Sequence, residues 1–573
     1  MRFIHIYFIY IALIVNISFA ESSWIEIGTV EELQKIGKIS KYPLNGNYYL
    51  ANTIDASTTQ NWNDEQGFEP IGFLSSNDAH QPFTGYFDGR GFTVRNLVIN
   101  RPGEDNTGVF YCLGVNAHVY NLIIENIYLV GENSIGSIAG MITENSTISN
   151  CSVSGKIVGT TNVGGATGIV HIGSMIERCS SSATIEAQSK VGNMVGLNFG
   201  NLYLCDVGGC INGDNNCGGL VGVNGYMGII SQCSSTASVM GNTSLGGLVG
   251  TNDGNAYFCT SSGNVSGTNH DTGGLVGYNR EGSIIEQNSS SSAVDGNINT
   301  GGLIGKNSGI VSNCFAQGSV DGNNINCGGL VGQNSKNGYI SKCYTTDLTI
   351  GPYSDTTGGF AGVNEGTIEN SFWDTETSGL VLSASGIGKT TSEMMTRSTF
   401  SSAEWNFETI WNISDHLSYP FLYLPPINAS DIDEIATITE LDVALALYEN
   451  FDYFDLNNDS TLSRTELNIL YDFVISSNSD ISRDDFDTFV IEISGTPNSL
   501  TYEQLTNYIN SSSGANGEYE DGVIETVNDT QTSTSYCSKC SAGKKSPFSL
   551  DYFWGHLLLL GTVFVAFTFL KIL

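Results

Sequence analysis

From residue 108 to residue 364, apolar and glycine positions recur with a period far longer than that of a helix or a strand. GGLVGVN at 218–224 returns as GGLVGTN at 246–252, GGLVGYN at 273–279, GGLIGKN at 301–307, GGLVGQN at 328–334 and GGFAGVN at 358–364. Weaker copies begin at Gly108, Gly136, Gly164 and Gly192. The ten starting glycines span 250 residues in nine intervals, about 27.8 residues each. Repeats of this length mark stacked architectures. Inside one unit, short apolar runs at 220–223, 228–233 and 237–240 are separated by Gly and Asn turns. Three short strands per unit predict one coil of a three-sided β-solenoid. No 3.6-residue pattern runs long enough in a unit to predict a helix.

Two positions in the unit should form columns along such a stack. Asn198, Asn224, Asn252, Asn279, Asn307, Asn334 and Asn364 each fall six residues after the first glycine of their unit. At about 4.8 Å per rung their amides can hydrogen-bond along a ladder. Cys151, Cys179, Cys205, Cys233, Cys259, Cys314 and Cys343 fall 13 or 15 residues after that glycine. An even offset keeps a side chain on one face of a pleated strand. A stack of small buried thiols is the expectation. Disulfides between neighbouring coils have feasible spacing but an awkward torsion. The cysteine count of 13 is odd, so at least one thiol stays outside any internal pair.

The repeated units, with I-x-x-C-x-S between them, resemble the GLUG-motif repeats of secreted and surface proteins. The flanks carry the likeness outward: GFEPIG at 67–72, FTGYFDGRG at 83–91, Trp405-Asn406-Phe407, Trp411 and YPFL at 419–422. The resemblance covers roughly residues 24–424. It implies a right-handed parallel β-helix whose long sides present surface, in a family of adhesin-like proteins and non-catalytic parts of bacterial proteases.

Residues 455–466 read as a calcium loop. Oxygen ligands fall at the required positions on Asp455, Asn457, Asp459, the Thr461 carbonyl, Ser463 and bidentate Glu466. Leu462 suits a short β bridge to a partner loop. Ser460 replaces the usual glycine where positive φ is needed, which strains the turn by about 1 kcal/mol. Aligning Leu500 with Leu462 places the partner loop at 493–504, where Ile493 and Gln504 replace the first and last ligands. This predicts an EF-hand pair with one Ca²⁺ site and a degenerate, cation-free partner.

Composition narrows the function. Lys and Arg number 22 against 58 Asp and Glu, a net charge of −36, which excludes binding by phosphate neutralisation and so excludes a nucleic-acid partner. Of that charge, −20 lies at 428–530, with 22 acidic residues against Arg464 and Arg483. Charged residues at 14% and hydrophobic ones at 40% fit neither a highly charged disordered chain nor a multi-pass membrane protein. Residues 1–20 read as a signal peptide, with Ser18 and Ala20 at the cleavage site. The apolar stretch 553–573 spans about 31 Å as a helix, one bilayer core. It is a transmembrane anchor or, after the small residues Ser541, Ala542 and Gly543, a signal for a glycolipid anchor.

The expected order is a signal peptide (1–20), an N-terminal β region (21–100), the solenoid (101–375), a C-terminal cap (376–425), the EF-hand pair (430–510), a flexible stalk (511–548) and the anchor (549–573). GIGKT at 386–390 hints at a phosphate loop, but Ser383 stands where its first glycine belongs, so a glycine turn is expected. Cys537 and Cys540 read as a small disulfide. With no HExxH, no nucleophile elbow and no acid pair, no catalytic residue is expected. The reading is a membrane-tethered, extracellular, calcium-binding, adhesin-like surface protein that displays a glycan- or protein-binding solenoid. A structural coat protein and a β-helix carbohydrate-active enzyme are the alternatives.

Overall fold

The computed structural model describes residues 24–72, 81–143, 145–352, 355–423, 461–463, 499–501 and 504. The chain divides into two units, Met1–Leu422 and Tyr423–Leu573. The first is a parallel β-solenoid built from sheets of ten, thirteen and twenty-six strands, here called the first, second and third sheet. One coil places Val221–Asn224 in the first sheet and Ile229–Ser231 in the second. Ser234–Ser235 and Ser238–Gly246 follow in the third. The next coil lies in register on all three: Asn224 opposes Asn252, Ile230 opposes Ala256 and Val239 opposes Val265. Ile230, Val239, Leu220 and Val221 are buried. A single coil would leave these side chains open above and below, so stacking is what removes them from water.

The glycines of the unit are set by close approach. A Cβ on Gly250, the fifth residue of its repeat, would lie 2.6 Å from the Asn216 carbonyl carbon and 2.6 Å from the Gly222 oxygen. Only hydrogen fits between the first sheet and the end of the third. The corner between second and third sheets is turned by one residue in left-handed conformation just before each thiol position. Arg178 (φ 49°), Leu204 (φ 51°), Gln232 (φ 54°) and Phe258 (φ 55°) occupy it in successive coils.

The two-residue offset in the cysteine spacing has a different origin from a pleat. Asn198 is followed by the short corner Phe199-Gly200 before Asn201–Tyr203, whereas Asn224 is followed by four residues before Ile229–Ser231. The corner loops absorb the difference, and the strands stay in register, Leu202 opposite Ile230.

The outward column of the third sheet runs Ser180, Asp206, Ser234, Thr260 and Ser289, then turns aromatic at Phe315, Tyr344 and Phe372. That switch marks where the segment after the last coil folds back onto the side of the solenoid. Phe400, Trp405 and Trp411 pack there. The Trp405 indole donates to the Asn370 carbonyl at 2.8 Å, and the Tyr344 hydroxyl donates to the Pro420 carbonyl at 2.6 Å. Helix is scarce among the described residues: Val30–Leu33, Thr391–Met394, Arg397–Ser401 and a 3₁₀ turn at Ser57–Asn61.

In the second unit, Thr461–Ser463 pairs antiparallel with Ser499–Thr501, with Leu462 opposite Leu500. Among the described residues no helix is long and apolar enough to cross a membrane. The signal peptide, stalk and anchor expected from the sequence lie outside the described residues, as do Cys537 and Cys540.

Candidate functional site

Both predicted columns are present. The Asn198 amide donates to Asn224 at 2.8 Å, Asn224 to Asn252 at 2.8 Å and Asn252 to Asn279 at 2.9 Å. The chain continues through Asn307 and Asn334 to Asn364. All but the last are fully buried. The seven cysteines are buried and free. Each thiol donates to the carbonyl two residues back, as Cys205 does to Tyr203 at 3.4 Å, and Cys179, Cys233, Cys314 and Cys343 accept a backbone N–H from the preceding coil, as Cys233 does from Cys205 at 3.4 Å. Asn288 and Ser371 take the thiol's place in two coils with the same bonds. Burial pushes the thiols of Cys179, Cys205, Cys233 and Cys314 well up. These columns are therefore structural and chemically closed.

Accessible chemistry lies on the outer face of the second sheet. Most of its short strands bury their middle residue and turn the two flanking ones outward, as Phe87 and Val119 are buried between half-buried or exposed neighbours. Register aligns these neighbours into two columns. The first carries the tyrosines Tyr49, Tyr120, Tyr203 and Tyr257, the carboxylates Glu26, Asp88, Glu177, Glu286 and Glu369, and serines between them. It holds no lysine or arginine. The second column holds Tyr86, His118, Met175, Ile229, Ile284, Ile310 and Tyr339 among small polar residues, with no charged side chain. Tyr86, Ile229 and Ile310 are well exposed.

The N-terminal end of this face is the most organised. Tyr86 and His118 have ring centroids 6.0 Å apart, and His118 and Tyr120 5.2 Å. His118 Nε2 lies 3.2 Å from the Ser149 hydroxyl. Asp88 Oδ1 accepts the Arg90 N–H at 2.8 Å and the Asn121 amide at 3.3 Å. The Arg90 guanidinium sits 3.5 Å from the Tyr49 ring centroid, and the Tyr49 hydroxyl donates to Glu26 at 3.0 Å. That bond to a carboxylate holds the Tyr49 proton and raises its pKa. The sequence reading did not single out this face, because its identity changes from coil to coil.

Of the predicted calcium ligands, Thr461 and Ser463 lie on the described strand Thr461–Ser463, while Asp455, Asn457, Asp459 and Glu466 lie outside the described residues. Among the described residues no group of three metal-ligating side chains comes together. The phosphate-loop string is an ordinary strand, Ile387–Lys389, paired with Phe372–Asp374. Lys389 is engaged with Glu393 at 3.1 Å, and Thr390 caps the next helix.

No family model matches the chain. A stretch of 134 residues, 23% of the chain, is 38% identical to Halomucin of Haloquadratum walsbyi and covers 1% of that protein. A stretch of 74 residues, 13% of the chain, is 40% identical to a "Putative Gly-rich membrane protein" of Evansella cellulosilytica and covers 9% of it. The chain thus spans only a small fraction of the length of the curated relatives it matches. A solved structure titled "putative immunoglobulin A1 protease", from Bacteroides ovatus, aligns over 71% of this chain and 94% of its own at 16% identity, with a TM-score of 0.28.

Proposed function

We propose that this chain is a membrane-tethered, extracellular, calcium-binding surface protein that uses the solenoid as a platform displaying a binding face to a glycan or a cell-surface protein. The observation that carries the reading is the second sheet: thirteen parallel strands whose outward side chains fall into two continuous columns. Such a face offers the same kind of contact at successive rungs, and weak contacts on one rigid body add by multivalency. The names of the two partial relatives, Halomucin and a Gly-rich membrane protein, fit a surface setting. The apolar ends of the sequence fit secretion and tethering.

Calcium is the cofactor in this reading. The ligand pattern at 455–466 supports it, and so does the pairing of Leu462 with Leu500, which couples the two loops as a pair of calcium loops requires. No residue is assigned a catalytic role.

The test has two arms. A membrane-impermeant amine label applied to intact cells should modify the chain, and protection until the cells are lysed would defeat surface display. Calcium titration of the purified protein should show one site that Asp455→Ala and Glu466→Gln each remove, and identical titrations for the three proteins would defeat the metal assignment.

A further inference from the structure

We propose that the N-terminal end of the second-sheet face binds a neutral saccharide chain across Tyr86, His118 and Tyr120. The inference rests on the display reading and names the partner class of that face.

The three rings cluster on two adjacent strands of a parallel sheet, with centroid steps of 6.0 and 5.2 Å and mutual tilts of 42° and 60°, so that a chain crossing them meets more than one ring. Tyr86 is 43% exposed although a buried position is available one residue on, where Phe87 sits. An exposed ring beside a satisfied core is not needed for folding. The apolar C–H face of a pyranose stacks on the electron-rich face of such rings, and its hydroxyls line the edge.

Planar hydrogen-bonding groups stand where those hydroxyls would reach. Asp88 lies between Tyr49 and Tyr120 in its column. Both bonds given to Asp88 fall on Oδ1, from Arg90 and Asn121, which fixes the carboxylate and leaves Oδ2 for incoming hydroxyls. The Asn121 amide beside it supplies donor and acceptor together. Two strand spacings, from Tyr49 to Tyr120, make about 10 Å, the length of a two-sugar segment.

Charge selects among saccharides. The column holds Glu26, Asp88 and Glu177 with no lysine or arginine, and Arg90 is held over the Tyr49 ring. Glu177 is paired with Arg178 at 3.7 Å, but a sulfated or uronic polymer would still meet the like charge of Glu26 and Asp88, whereas a neutral one meets no such repulsion.

The experiment is isothermal titration of the full-length protein with cellohexaose, a β-1,3-glucan hexasaccharide and mannohexaose. A hyaluronan hexasaccharide and hexalysine serve as charged probes. At least one neutral probe should bind with Kd below about 1 mM. Tyr86→Ala and Tyr120→Ala should each weaken it about tenfold, and Tyr257→Ala, five strands beyond Tyr120 in the same column, less than twofold. Thermal melts of each variant separate lost binding from lost fold. Binding of hexalysine or hyaluronan alone, no binding of any neutral probe, or equal affinity in all three variants would overturn the saccharide assignment. Labelling of intact cells reads the display role separately, so a chain that is labelled yet binds no neutral probe loses only this inference.

Discussion

Asn224 donates its side-chain amide to the Oδ1 of Asn252, one coil further along, at 2.8 Å, and neither residue is exposed to solvent. The bond is one link in a chain that fixes the vertical register of the coils. A shift by one residue would leave every one of these buried amides without its partner.

Replacing a middle link should therefore cost more than replacing an end. Asn252→Ala removes a donor from one neighbour's reach and an acceptor from the other's, a loss of about 1–3 kcal/mol. Asn364→Ala, at the half-buried end, should cost less than half of that. Equilibrium urea unfolding of the two variants checks the ranking.

Glycine positions should divide by space. Gly250→Ala places a methyl group against backbone on two sides, with no room to relax, and should prevent soluble folding, beyond the about 1–3 kcal/mol of ordinary overpacking. Gly282→Ala, at φ +85° with nothing within 4 Å, carries only the left-handed backbone cost of about 1–2 kcal/mol. Soluble expression and melting temperature distinguish them.

The thiol column should be silent in the native state. Burial holds these thiols protonated well above their ordinary range, whereas the unfolded chain ionises them near pH 9. Stability contributed by the buried neutral thiols is therefore complete below pH 9 and falls as pH rises beyond it. The seven column thiols of the native protein should not react with a thiol reagent at pH 8 until denaturant is added, as peptide mapping of the labelled chain checks. Fast labelling of Cys205 without unfolding would contradict the column.

Asp347 supplies a second pH dependence. It is buried in the link between the third-sheet strands Tyr344–Thr345 and Leu348–Ile350, its Oδ1 accepts the Gly318 N–H, and its Oδ2 has no partner among the described residues. Burial raises its pKa well above the ordinary 3.8, so the folded chain keeps a proton that the unfolded chain releases. Its contribution is intact below pH 3.8 and is lost as pH rises from there toward the folded pKa. Asp347→Asn should stabilise the protein at pH 7 by on the order of 1–3 kcal/mol and flatten the dependence above pH 4. Urea midpoints from pH 4 to pH 8 in both proteins measure it.

What could be read from the chain follows from what repeats. The asparagines and cysteines recur in nearly every unit because each coil must satisfy the same buried bonds, so their spacing reveals the solenoid. Leu462 and Leu500 were legible for a similar reason, being the apolar position of each loop. The left-handed corner was not: Arg178, Leu204, Gln232 and Phe258 share a backbone conformation but no chemistry. The second-sheet face escaped notice because outward positions are free to vary, and only the register shows Tyr86, His118 and Tyr120 as neighbours. The aromatic switch at Phe315 and Tyr344 was visible in the sequence, but its meaning appears only with Trp405 and Trp411 packed near it.

Stacking of whole units is most directly tested by deletion. Removing residues 246–300 takes out two complete units and joins Leu245 to Gly301, preserving register and the alternation of long and short corners. The account predicts an unchanged β-type circular dichroism spectrum per residue and a cooperative melt. Removing only residues 246–259 should abolish both. Equal damage from the two deletions would contradict a continuous solenoid.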